Sequence, residues 1–115
     1  MIKQRICIVG DGLSGLMTAV ILSKVSGVEV NLIAKKGTKN ADKRTTAISD
    51  TNYKFINQNI KSLEQKLFWP SQKIDLFYET SKENINFLNL NEANSNLMYV
   101  FENDKIKSVL LKEIS

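Results

Sequence analysis

The chain has 115 residues and a mass of 13.0 kDa, with 43% hydrophobic and 24% charged residues, which fits one globular domain and excludes wholesale disorder. Sixteen Lys and Arg against twelve Asp and Glu give a net charge of +4, but the cations are scattered and not interleaved with aromatics, which argues against a nucleic-acid groove. The absence of histidine and the single cysteine exclude His-based acid–base chemistry, His/Cys metal sites and an internal disulfide.

The segment from Met1 to Arg5 leads into an apolar run that breaks at Gly10, too soon for a signal peptide. No run approaches the ~20 apolar residues of a spanning helix, so a soluble, cytoplasmic protein in a reducing compartment is expected. Ile6-Cys7-Ile8-Val9 reads as a strand covered on both faces, with Cys7 an inert buried thiol. From Leu13 the apolar spacing becomes helical (Leu13, Leu16, Met17, Val20), and Ser26-Gly27 supplies the stop. Val28 to Ile33 forms a second strand. Strand, helix and strand within some thirty residues make a βαβ unit with parallel strands.

Lys35 to Lys43 is a polar loop. Thr46 to about Leu67 is helical by spacing, and Trp69-Pro70-Ser71 ends that region. Short strands follow around Ile74–Tyr78, Ile85–Leu88 and Leu97–Phe101, separated by Asn-rich turns. Asn103 or Asp104 then caps a closing helix with the stripe Ile106, Val109, Leu110 and Ile114. Phe68, Trp69, Phe77, Tyr78, Phe87, Tyr99 and Phe101 are read as core aromatics, with the lining of a ligand pocket as a second role.

The glycines carry the chemistry. All five lie within the first 37 residues, and Gly10-Asp11-Gly12-Leu13-Ser14-Gly15 is a G-x-G-x-x-G directly after a strand and opening a helix. Gly10 allows the tight turn, Gly12 lets the backbone approach a diphosphate, and Gly15 lets helix and strand pack closely. The unpaired N–H groups of the helix start then hold the anion. Asp11 has to point its carboxylate away from that anion. The acidic residue usual at the end of the second strand is missing: Ala34 stands there, followed by Lys35 and Lys36, which either begin a solvated loop or favour a 2′-phosphate, as in NADP proteins.

This unit, followed by Asp42-Lys43-Arg44-Thr45-Thr46-Ala47-Ile48-Ser49, resembles the N-terminal part of FAD-dependent aromatic monooxygenases, and most of all the ubiquinone-biosynthesis hydroxylases of the 2-polyprenylphenol type. Trp69 with Ile74-Asp75-Leu76-Phe77 is similar to the family's approach to its substrate-side sheet. Leu97 to Asn103 is similar to its Gly-Tyr-x-x-Glu-Asn segment, with Met98 in place of glycine. The resemblance implies an α/β fold: a partial Rossmann-like FAD-binding βαβ unit within residues 1–70, the start of the substrate-side sheet in 71–102, and a returning helix in 103–115. It implies FAD, with NADPH as transient reductant, and a small aromatic or quinol substrate. The implied FAD-binding positions are Gly10, Asp11, Gly12, Leu13, Ser14, Gly15, Ala34, Lys35 and Arg44, of which Ala34 cannot make the family's ribose contact. Arg44 either meets the flavin side of the cofactor or forms a surface ion pair with Asp42.

The family's later Asp-Gly and Gly-Asp-Ala-Ala-His segments have no counterpart, since the chain lacks histidine and has no glycine after Gly37. An N-terminal fragment is therefore expected, inactive alone and completed by a companion chain or self-associated through its exposed closing helix and unpaired strand edges. A peripheral place at the inner membrane accompanies that reading. The alternatives are a non-catalytic remnant without flavin and a small nucleotide-binding module.

Overall fold

Two runs of β-branched residues, one helix between them and a glycine at each end of that helix's loops organise the first third of the chain. The computed structural model describes residues 3–35 and 41–114. Strand β1 (Gln4–Val9) lies parallel to β2 (Val28–Ile33), in register from Gln4 opposite Val28 to Val9 opposite Ile33. Helix α1 (Leu13–Ser23) connects them and buries Leu16, Ala19 and Val20. The helix closes at Lys24, earlier than the expected stop, and Gly27 (φ +79°) instead turns the chain into β2.

A second, antiparallel sheet has the order β3–β7–β4, from Thr45–Ser49, Met98–Glu102 and Trp69–Ser71. Proline is tolerated in β4 because the strand is at the edge of its sheet. Helix α2 (Asp50–Asn59) follows β3 directly, and Ser49 caps it by accepting the Asn52 N–H at 3.2 Å. A single 3₁₀ turn covers Gln65–Leu67, and helix α3 (Asn103–Ile114) follows β7 without a loop. Strands β5 (Lys73–Glu79) and β6 (Asn84–Asn91) form a separate two-stranded ribbon. The molecule is elongated, 65 × 37 × 23 Å. It is thus a mixed α/β protein in which, among the described residues, no helix is long and apolar enough to cross a membrane.

The core forms where α1, α2, α3 and the three-stranded sheet converge. Leu16 and Val20 meet Ile106 and Leu110 of α3, together with Tyr53, Ile56, Ile60, Leu63, Phe68 and Phe101. Phe68 sits edge-on to both Tyr53 (5.1 Å) and Phe101 (5.6 Å), and Tyr53 stacks on Tyr99 at 3.7 Å.

Several expectations change. The apolar run of β1 is covered on one face only: Ile6 and Ile8 turn toward α1, while Cys7 is exposed and Val9 is 81% exposed. The run expected to be one helix from Thr46 to Leu67 splits into β3, α2 and the 3₁₀ turn, because Thr45, Thr46 and Ile48 suit a pleated strand and Ser49 caps the helix that follows. Of the aromatics expected in the core, Phe68 and Phe101 are buried and Tyr99 half-buried, whereas Trp69, Phe77, Tyr78 and Phe87 are exposed. The closing helix does not present an open stripe, since Ile106 and Leu110 are fully buried against α1.

Phe101 touches the aromatic cluster from the central strand and is 1% exposed. Truncation by Phe101→Ala is expected to lower the unfolding free energy by about 3–5 kcal/mol, read by urea denaturation.

Candidate functional site

The turn between β1 and α1 is shaped by two glycines. Gly10 takes φ +109°, a region that side chains disfavour, and its N–H donates to the Ile33 carbonyl at 2.8 Å, tying the turn to the end of β2. Gly15 lies so close to the turn that a Cβ there would meet the Gly10 carbonyl oxygen at 2.5 Å. Gly12 is the N-cap of α1, extended at φ −69° and ψ 176°, and its carbonyl accepts the Leu16 N–H at 2.9 Å. It has no side chain to cap the helix, so the N–H groups of Leu13, Ser14 and Gly15 are the orphan donors of the first turn. Around the Cβ positions of Gly10 and Gly12 there is open space out to 4 Å.

A second segment is brought beside this turn by the start of α3. Asn103, only 7% exposed, donates from its backbone N–H to the Arg44 carbonyl at 3.1 Å and from Nδ2 to Asp42 Oδ2 at 3.2 Å. Its Oδ1 accepts the Thr46 hydroxyl at 2.5 Å. The Asp42 N–H donates to Asp104 Oδ1 at 2.9 Å. Asp42 in turn holds Arg44 in a two-point pair, Nε to Oδ1 at 2.8 Å and Nη2 to Oδ2 at 2.9 Å. These bonds, those from Arg44 before all, hold the Asp42 carboxyl well below the usual carboxylate range, and the carboxylate likewise raises the Arg44 guanidinium.

The two segments enclose a hollow of about 420 Å³, in the size range of small-ligand pockets. Its walls are Val9, the glycine loop and Leu13 on one side, Asp42 and Arg44 on another, and Asn103 and Lys107 on the third. Asn103 and Lys107 are four residues apart and so share one face of α3. Orphan amides, a guanidinium and an ammonium thus converge, with a single carboxylate among them, already paired. The arrangement can accept an anion with several oxygens; it contains no nucleophile–base pair.

Of the residues expected to bind the cofactor, Gly10, Gly12, Leu13, Ser14, Gly15 and Arg44 come together around this hollow. Asp11, also expected among the cofactor-binding positions, does not line it. Ala34 and Lys35 are exposed at the end of β2 and do not line it either. Lys36, the other half of the 2′-phosphate reading, lies outside the described residues. Arg44 forms the ion pair with Asp42 that was one of its two expected roles, and it also lines the hollow. Asn103 and Lys107 were not legible as site residues, although Asn103 stood out as a helix cap. Among the described residues no cluster of Cys, Asp or Glu is arranged to hold a metal ion. No family model matches the chain, and no curated protein matches its sequence.

Two outcomes follow from this geometry. Gly15→Ala forces a Cβ onto the Gly10 carbonyl and is expected to cost about 1–3 kcal/mol of stability by chemical denaturation, in contrast to a Gly→Ala change in an open helix, which stabilises. Asp42 stays ionised to lower pH in the folded than in the unfolded chain. Its contribution is therefore complete above about pH 4, the unfolded carboxylate's pKa, and is lost as pH falls below that value. Asp42→Asn is expected to be less stable than the natural chain near neutrality and to converge with it in acid, read from paired melting curves at stepped pH.

Proposed function

We propose that the hollow holds the diphosphate of a dinucleotide, FAD by the family resemblance, and that this chain serves as a flavin-binding part of an aromatic hydroxylase. The observation that carries the reading is the set of orphan amides at Leu13, Ser14 and Gly15, opening onto space that no Cβ occupies and flanked by Arg44 and Lys107. The residues present fit the group: two phosphates need several donors and net positive charge, and the walls provide both. Bound FAD, reduced by NADPH, supplies the oxygen-transfer chemistry for an electron-rich ring such as a polyprenylated phenol.

What this chain's own residues do is bind and orient. The amides of the first turn of α1 take the phosphate oxygens, and the dipole of that helix favours their charge. Arg44 exchanges one carboxylate partner for a phosphate, and Asn103 keeps the segment carrying it in place through the backbone. With no histidine in the chain and no acid–base pair in the walls, proton transfer to substrate falls to a companion chain in this reading. Ala34 leaves the adenosine ribose without the usual carboxylate, so affinity rests on the diphosphate more heavily than in a site with an acidic residue there.

The test uses flavins that differ in that one group. FAD is expected to bind in equilibrium dialysis, ADP to compete with it, and FMN, which lacks the diphosphate, not to bind. Equal binding of FAD and FMN, or none of either, contradicts the proposal. Gly12→Ser is a second probe: a hydroxyl at the N-cap takes an amide from the anion. The variant is expected to gain roughly 0.5 kcal/mol in stability and to lose about tenfold in FAD affinity, equivalent to one charge-assisted hydrogen bond.

A further inference from the structure

The ribbon of β5 and β6 divides its residues by face. Cross-strand pairing puts Ile74 opposite Leu90, Leu76 opposite Leu88 and Tyr78 opposite Ile85, all on one face, with the register shift next to Leu76 and Phe77. The bulged Phe87 brings its ring to 5.9 Å from that of Tyr78 and so joins the same side. The other face carries Lys73, Asp75, Glu79 and four asparagines, with Phe77 its one apolar member. Among the described residues much of the apolar face stays open: Leu76, Tyr78, Phe87, Leu88 and Leu90 are 38–59% exposed, while Ile74 and Ile85 are half-buried. A lone two-stranded ribbon is marginal in water, and an open apolar face makes it more so.

We infer that this face is the contact between two copies of the chain, stacked ribbon on ribbon about a two-fold axis. The charge distribution favours a second copy as occupant. A two-fold contact sets a surface against itself, so a charge near its axis would meet its like, and this face carries none while its reverse side carries Lys73, Asp75 and Glu79. The area agrees. At roughly 100 Å² for each half-exposed large side chain, the five residues offer on the order of 500 Å² per copy. Two copies then cover on the order of 1,000 Å², the lower bound of specific interfaces, which fits a dimer that dissociates on dilution. None of the ribbon's residues lines the hollow beside the glycine loop, and the contact does not depend on what that hollow binds.

Sedimentation equilibrium of the full chain over a wide concentration range tests this. A concentration-dependent dimer is expected, weakened roughly tenfold or more by Leu88→Lys and left unchanged by Phe77→Lys on the opposite face. Because Leu88→Lys can also loosen the ribbon, the natural chain is diluted in parallel and its methyl resonances followed by NMR. Those of Ile74, Leu76, Leu88 and Leu90 are expected to shift with concentration while those of Leu16 and Ile106 stay fixed. A monomer at every concentration overturns the inference, which would leave the face to a partner of another kind. A dimer that Phe77→Lys disrupts, or whose ribbon methyls do not move, overturns it equally.

Discussion

The contact between the Gly15 backbone and the Gly10 carbonyl is the constraint on which the rest of the structure depends. Helix α1 can lie against the end of β1 only because Gly15 has no side chain to hold the two apart. From the other side, Ile106 and Leu110 of α3 close over Leu16 and Val20. The helix is thus clamped at its first turns between a strand end and a second helix. The residues that carry its orphan amides, Leu13, Ser14 and Gly15, line the hollow.

The second wall is held differently. The ion pair between Asp42 and Arg44 is solvent-facing, and such pairs contribute little to stability. The segment is positioned by hydrogen bonds from the start of α3 instead, through the nearly buried Asn103 and through Asp104. Backbone position and side-chain freedom are therefore separated at Arg44. The chain around it is fixed, while the side chain, 82% exposed, remains able to change partners. That state suits the role proposed for Arg44, since a phosphate offers the same two-point geometry as the carboxylate it would replace.

How far the sequence could be read depended on the range of the interactions. The first strand, the glycine turn, α1 and β2 follow from local patterns: β-branched runs, a helical stripe from Leu13 and glycines where the chain must bend. Thr45–Ser49 was hidden inside a longer helical spacing, although Ser49 followed by Asp50 carries two marks of a helix start, a capping hydroxyl and an acidic first turn. The burial of Val9, Trp69 or Phe87 could not be read locally, because exposure depends on which elements cover which face, and the ribbon and one side of the β1–β2 pair are uncovered. Within the site, the loop glycines were legible by type and spacing, and Arg44 only through the family resemblance. Lys107 was not, since a lysine on a helix gains meaning only when folding sets it across from a loop more than ninety residues earlier in the chain.

The most direct test of the account is a titration of the isotope-labelled chain with inorganic diphosphate, followed through backbone amide resonances. Saturable shifts concentrated at Leu13, Ser14 and Gly15 are expected, with the Arg44 side-chain Nε signal moving in step. Shifts spread evenly over the surface lysines, or none at the start of α1, would contradict it.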